Sequence, residues 1–514
     1  MATPISETAQ YNAPGAMLQR ALVFASVVWA GAVYGSATTV ANVVLPHMQG
    51  DLSASLDQVA WIVTASVVAA AIGTPPTPWI AARFGAKQLL ITSLTCFTLS
   101  SAMIGFSTSL PEVVIWRIIQ AVTGAPILVL SQTFTLATYP EERRGPVLAI
   151  WSIGITCGWV FAPAIGAYVA DQQTWRLIFW VMAPIGLSAT ILCAAFVPKT
   201  HKDKQLSFDW TGFVALSLAL AGLQVILNRG QRLDWFDSPQ ILLWFGISCL
   251  ALYFFIVHSM TTKNPFFKWE VFKDRNLAVG IVLTFSFAFI SLTPLVLLPT
   301  MLEQLRGLDT VTVGFMLIPE GIVELIGLLI VAQFIGRIDS RLLISSGFLL
   351  YAAGAWMMSN FNFDIGFWDV TIALAIQGGA MSIIWLPVFH MLYSTLDSKF
   401  HTEAAAMVGL AYSISSSAGI AISVTLLSRS TQTNTEELAS HVTPTNEILR
   451  FPEHSDWSLD SIESLAAIQA EVAAQAQMIG YINVYWLLTI ICLVAAPVAI
   501  IFGSSGRTSK NAAG

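Results

Sequence analysis

The chain has 514 residues, 55% hydrophobic and 11% charged, with a formal net charge of −6 at pH 7 and a mean hydropathy of +0.71. Soluble domains carry roughly 25% charged residues, so the composition describes an all-α integral membrane protein and excludes a soluble enzyme or a basic nucleic-acid binder. No GxxxxGK[ST] loop and no HExxH occurs, which leaves ATP-driven transport and zinc hydrolysis without support.

Residues 1–16 hold no Lys or Arg, and the apolar run after Arg20 is too long for a signal-peptide core, so the first span is expected to be an uncleaved helix. Apolar runs bounded by charged or Pro/Gly-rich loops give about fourteen spans: 21–45, 57–78, 88–108, 111–138, 146–170, 175–197, 210–229, 239–259, 276–300, 311–335, 342–361, 369–393, 403–428 and 479–503. An even number puts both termini on one side. About seventeen Lys and Arg fall on that side against about six on the other, which predicts cytoplasmic termini. The five cysteines all lie in apolar runs without metal-ligand spacing and read as packing residues.

Taken along the chain, the polar and aromatic residues inside spans carry the chemistry. Trp61, Trp159 and Trp385, with Trp151, Trp356 and the Phe285, Phe287, Phe289 set, offer aromatic faces for flat hydrophobic molecules or cations; interface anchoring is the plainer role for many of them. Arg117 is the one basic residue placed well inside a span, followed on the same helix by Gln120, Ser131 and Gln132. It either faces the interior as a functional residue or snorkels to the outer headgroups. In 154–167, Gly154, Gly158, Ala162 and Gly166 form a nearly bare stripe beside Pro163, the kind of close contact a rocking transporter needs and one also common in static bundles.

The chain echoes itself. WIAARFGAKQLLITS (79–93) and FIGRIDSRLLISS (334–346) each set a basic pair four apart, Arg83 with Lys87 and Arg337 with Arg341, before Leu-Leu-Ile. Two related halves predict this division: a cytoplasmic N-terminus 1–20, a six-helix half 21–200, two inserted helices 201–262, a second half 263–505 and a tail 506–514.

The tenth span, VTVGFMLIPEGIVELIGLLIVAQFIG (311–336), carries Glu320 and Glu324 near its middle, after Pro319. An ionised Glu at mid-membrane costs about 3 kcal/mol on insertion scales. Two carboxylates one turn apart in a low dielectric cannot both ionise cheaply, so at least one is expected to hold its proton near neutral pH, as a proton carrier requires. The plainer alternative is a Glu that lines a wet vestibule or pairs with an Arg. The loop 430–478 is the one long extramembrane segment, and its second half has near-helical apolar spacing, which predicts an amphipathic helix outside the membrane.

These motifs resemble the fourteen-helix drug:proton antiporters of the major facilitator superfamily, the EmrB/QacA type, along nearly the full length. ANVVLP (41–46) ends the first span as in that family. PWIAARFGAK (78–87), with Arg83, Gly85 and Lys87, is similar to its cytoplasmic signature loop, and RIIQAVTGAPILVLSQ (117–132) to the fourth-helix motif whose Arg is implicated in proton coupling. YPEERRG, WSIGITCGWVFAPAIGA, LNRGQRLDWFDS and NPFFKWEVFKDRN follow in family order. The chain departs from the family at Ala37, where an acid is common, at Pro78 and Ala82 in the signature loop, and at Ala162 before Pro163.

The resemblance implies a major facilitator fold and an inner-membrane exporter of amphipathic or toxic small molecules. It would be driven by the proton gradient without a cofactor, surrounded by lipid, with a periplasmic adaptor and an outer-membrane channel as partners. Glu320 and Glu324, nominated by the cost of placing them inside a span and not by the resemblance, are expected to couple protons as a relocated site together with Arg117, and Gln120, Gln132, Trp61, Trp159 and Trp385 to line the substrate cavity. Arg83, Gly85, Lys87, Gly158, Pro163, Gly166, Arg337 and Arg341 act in gating. A dedicated exporter of one metabolite such as a siderophore, or a receptor-like relative that no longer transports, are the rival readings.

Overall fold

The computed structural model describes residues 16–140, 143–203, 206–262, 265–266, 269–335, 337–443 and 461–502. Among these the protein is all-helical. Helices α1 (Ala16–Val43), α2 (Leu45–Asp51), α3 (Leu56–Gly73), α4 (Thr77–Phe84), α5 (Ala86–Phe106), α6 (Leu110–Thr138), α7 (Arg144–Gln172) and α8 (Trp175–Phe196) build the first half. Helices α9 (Trp210–Arg229) and α10 (Pro239–Thr261) form the insert. Helices α11 (Arg275–Arg306), α12 (Thr310–Phe334), α13 (Ser340–Met358), α14 (Phe367–Ser394), α15 (His401–Ser440) and α16 (Ile462–Val498) form the second half. Among the described residues thirteen helices are long and apolar enough to cross a membrane, or fourteen when α3 and α4 count as one span.

That span breaks because Pro75 and Pro76 supply no N–H to the helix ladder, and α4 turns away from α3 by 53°. Elsewhere the ends are fixed by caps. Ser55 and Gln58 form a reciprocal box, and Asp209, Asp274, Asp309 and Asp339 accept from the first-turn amides of α9, α11, α12 and α13. Each such cap is worth about 1 kcal/mol and fixes where a span begins. At the end of α2, Asp51 accepts from Trp175 Nε1 (3.1 Å) and pairs with Arg176, which also reaches the Ser107 carbonyl oxygen (3.1 Å). The Arg176 guanidinium, followed by the Trp175 donor, holds the Asp51 carboxyl below the usual carboxylate range.

The glycine stripe of α7 packs on α1. A β-carbon at Gly158 would lie 2.5 Å from the Ala32 carbonyl oxygen and 2.9 Å from Ser36 N, while Gly154 and Gly166 face Val28 and Val40. The close contact expected to serve rocking therefore lies inside one half and not between the halves. The two halves meet through other faces of α7, α12, α14, α6 and α15. At the end of the bundle where α1 starts, one continuous core joins them, with Phe24, Leu148 and Trp151 from the first half and Leu328, Leu386, Phe389 and Met407 from the second. Towards the other end the first half has a core of its own, separate from the core that fills the second half.

The 430–478 segment also differs from expectation. α15 continues unbroken to Ser440, and α16 starts at Ile462 and runs into the membrane span, so the amphipathic stretch is the outer part of a long helix and not a separate one. Asn483 Nδ2 donates to Ser430 Oγ (2.7 Å), and Gly480 lets the two helices approach at Leu427 and Thr431. Residues 444–460 lie outside the described residues.

Candidate transport site

The site is centred on α12. Pro319 removes an amide from its ladder, Gly321 brings Val160 of α7 close, and Gly327 sits against Ser382 of α14. Gly378 of α14 lies on the Glu320 backbone, so the helix carrying both acids is seated tightly in its own half. Both carboxylates are half-buried.

Glu324 faces the seam between the halves. Its Oε1 accepts from Thr156 Oγ1 of α7 at 3.4 Å, a long bond that crosses from one half to the other. Cys157 and Tyr412 lie within electrostatic range of it. Glu320 couples electrostatically to Glu324 and to Tyr351 of α13, whose hydroxyl donates to the Ile290 carbonyl oxygen at 2.8 Å. The pair therefore links the seam with the interior of the second half.

Aromatic rings pack along the seam beside the carboxylates. Trp385 packs on Phe389 (4.3 Å between centroids), Phe287 (5.1 Å) and Tyr412 (5.8 Å), and its Nε1 donates across the seam to Ser152 Oγ at 3.1 Å. Trp159 stacks on Tyr412 at 6.1 Å with the planes 17° apart. Carboxylates beside a cluster of rings suit an amphipathic guest with an aromatic or cationic part.

The other expected residues lie elsewhere. Arg117 is 5% exposed and stays within the first half: Nη1 donates to Gln120 Oε1 (2.6 Å) and to the Ala37 carbonyl oxygen (3.4 Å). It is not brought to Glu320 or Glu324. The backbone of Ala37 takes up part of the guanidinium at the position where the resembling family often has an acid. Gln120 is also held by Ser101 (2.6 Å), and Gln132 is buried with its Nε2 unpartnered. Trp61 lies under the Arg229 guanidinium (4.7 Å) and lines an apolar pocket of ≈ 330 Å³ with Gln58, Leu110, Pro111, Val114 and Ile115, on the flank of α3 and α6. Pro163 is half-buried within α7. Arg337 is exposed, and Arg341 is half-buried with its amide on the Asp339 cap.

Arg83 ends α4 and Lys87 starts α5, on either side of Gly85, whose φ of +97° would strain any L side chain. A strap that sequence reasoning missed holds this turn. Asp203 N donates to the Ala82 carbonyl oxygen (2.9 Å), Lys87 N to Thr200 Oγ1 (3.3 Å) and Lys202 Nζ to Gln88 Oε1 (2.6 Å). The strap continues into Asp209, which caps α9, pairs with His258 of α10 (2.8 Å) and accepts from Phe266 N (3.1 Å). The Lys-rich run 199–204 was its only signal in the sequence. Thr156, Ser152 and Tyr412 were also missed. Among the described residues no cluster of three His, Cys, Asp or Glu is arranged to hold a metal ion.

Residues 27–423 match the model of the Major Facilitator Superfamily. The chain is 29% identical over 454 residues to the multidrug export protein EmrB of Haemophilus influenzae, covering 88% of this chain and 89% of that one. It is 29% identical over 479 residues to the probable multidrug resistance protein EmrY of Escherichia coli (92% and 93%). To the fatty acid resistance protein FarB of Neisseria gonorrhoeae it is 28% identical over 465 residues (90% and 92%). The fold is similar to that of the proton:xylose symporter XylE, with a TM-score of 0.62 at 14% identity over 94% of this chain and 95% of that one.

Proposed function

We propose that this chain, which belongs to the Major Facilitator Superfamily, is a proton-coupled antiporter that exports amphipathic small molecules across the inner membrane by alternating access. The efflux relatives support export as the activity. The observation that carries proton coupling is the placement of Glu324, bonded across the seam to Thr156 with Glu320 one turn away. Rocking the halves apart at the joined end separates Thr156 from Glu324 and Trp385 from Ser152. The surroundings in which the acid pair holds its proton thus change with the access state. The guest rests against Trp159, Tyr412 and Trp385. Proton and guest compete for the acids, and that competition ties inward proton flow to outward export.

The Lys and Arg excess, about seventeen against about six, supports cytoplasmic termini. On that orientation the continuous core that joins the halves lies on the cytoplasmic side. The outer parts of α15 and α16 then stand in the periplasm, where a periplasmic adaptor leading to an outer-membrane channel would meet them.

Gradient-driven export from cells and inverted vesicles, measured with a panel of lipophilic cations, weak acids and neutral antibiotics, tests the reading. Glu320→Gln and Glu324→Gln are each expected to bind substrate yet lose more than about tenfold of uphill export. Undiminished uphill export by both variants removes the proton assignment.

A further inference from the structure

The inserted helix α9 stands beside the seam and touches both halves, α3 on one side and α15 on the other. The ties differ in kind. At the joined end, Trp79 Nε1 of α4 donates to the Ser207 carbonyl oxygen at 3.0 Å, and the Trp79 and Phe208 rings lie 4.5 Å apart. The strap bonds Asp203 and Lys202 to the same α4–α5 turn. At the far end of α9, the Arg229 guanidinium lies over Trp61 of α3. Asp209, its side chain 9% exposed, gathers the rest of the insert. Its carboxylate caps α9 through Gly212 N (2.8 Å), bonds His258 of α10 (2.8 Å) and accepts from Phe266 N (3.1 Å), where the chain has left α10 for the second half. Towards α15 the contact is apolar: Leu410 and Ile414 pack on the cluster of Ala215, Leu216, Leu220 and Phe255.

Lipid chains are as apolar as Leu, so side chains that leave the α15 contact exchange one apolar neighbour for another. Leaving the first half would instead break the Trp79 bond and the bonds of the strap, and each break strands a donor or an acceptor near the membrane boundary. We propose that the insert travels with the first half as one body, and that its contact with α15 is a second seam, which parts sideways into lipid when the halves separate at the joined end. Asp209 is the positioning residue of that body, because it fixes α10 and the outgoing chain to the start of α9. Asp274 caps α11 and accepts from Thr395 Oγ1 at the end of α14 (2.8 Å), so it belongs to the second half, and the chain from Phe266 to Asp274 is the link between the bodies. On the alternating-access reading, which this rests on, the insert thereby belongs to one of the two moving parts.

Pulsed spin–spin distances in the full-length protein in lipid nanodiscs test this. Cys96, Cys157 and Cys249 are replaced by alanine, and labels are paired from Arg143→Cys in the first half, Met260→Cys on α10 and Ser398→Cys in the second half, all exposed positions at the joined end. A pH series and Trp385→Phe move the populations. Arg143–Ser398 is expected to show two distances several ångström apart, Met260–Ser398 to change in step with it, and Met260–Arg143 to keep one narrow distance throughout. Asp209→Ser keeps a cap of comparable strength on α9 but is too short to hold His258 and Phe266 together. It is expected to broaden the Met260–Arg143 distance while Arg143–Ser398 keeps its two distances, which separates a loosened insert from a lost fold. A Met260–Arg143 distance that changes with the access state overturns the assignment of the insert, and an unbroadened distance in folded Asp209→Ser overturns the role of Asp209. One Arg143–Ser398 distance under every condition would overturn the alternating-access reading, and the assignment with it.

Discussion

Helix α7 meets α1 through Gly154, Gly158 and Gly166, and meets the second half through Ser152, Thr156 and Val160. The two sets are offset by two residues, about 200° around the helix, so they lie on opposite faces. On the first face backbone touches backbone. On the second the contact is made by a hydroxyl, an indole and a carboxylate, groups that can exchange their partners for water. Residue size on one helix thus separates what must stay together from what must come apart. A rocking carrier needs both, and here they share a scaffold.

The comparison breaks most directly at Gly158. Gly158→Val forces a β-branched side chain onto the Ala32 carbonyl oxygen and is expected to cost about 3 kcal/mol, read as lost monodisperse protein and a lower melting temperature. A folded, stable variant that failed only in transport would show that the α1 contact moves during the cycle. On the other face, Trp385→Phe keeps most of the ring packing but loses the bond to Ser152, and is expected to shift the access equilibrium by about 1 kcal/mol towards opening at the joined end. The check is the labelling rate of single cysteines introduced below Phe389, expected to rise roughly fivefold; an unchanged rate denies the seam its latch.

The smallest effect belongs to Asp51, an exposed tie within the first half. Because its folded-state pKa is depressed, its contribution is present above the ordinary Asp value of about 3.9 and is lost as the pH falls below it. Asp51→Asn is expected to flatten the melting temperature between about pH 5 and pH 3 and to leave export near neutral pH unchanged. A change in export would place that tie among the moving contacts.

The spans were legible because each is an apolar run with a Pro, Gly or charged boundary, and membrane energetics allow little else. The acid pair was legible for the same reason: two carboxylates inside 311–336 are costly wherever they point. Their partners were not. Ser and Thr in a span ordinarily bond back to their own helix, as Thr133 and Thr135 do, so nothing in the sequence marked Thr156 as reaching another half. The bare stripe of α7 announced a close neighbour but could not say which, and α1 lies far from it in sequence. Arg117 was legible as a charge inside a span, with interior and headgroup placements both open; its burial among neutral groups depends on the backbone of Ala37, which no residue-type pattern records.

The length of α15 and α16, 40 and 37 residues, has a mechanical consequence. A bilayer takes up about 20 residues of each, so roughly 15 residues, about 20 Å of paired helix, project beyond it. A rod rooted in the second half amplifies that half's tilt: a rotation of about 10° displaces a tip 20 Å away by about 3–4 Å relative to its root. On the proposed cycle the helix pair acts as a pointer to which side is open. A spin label at Glu437, measured against one on α2, would report the access state as a distance that changes when the proton gradient is applied, and a distance indifferent to the gradient would mean that the pointer is not attached to the moving part.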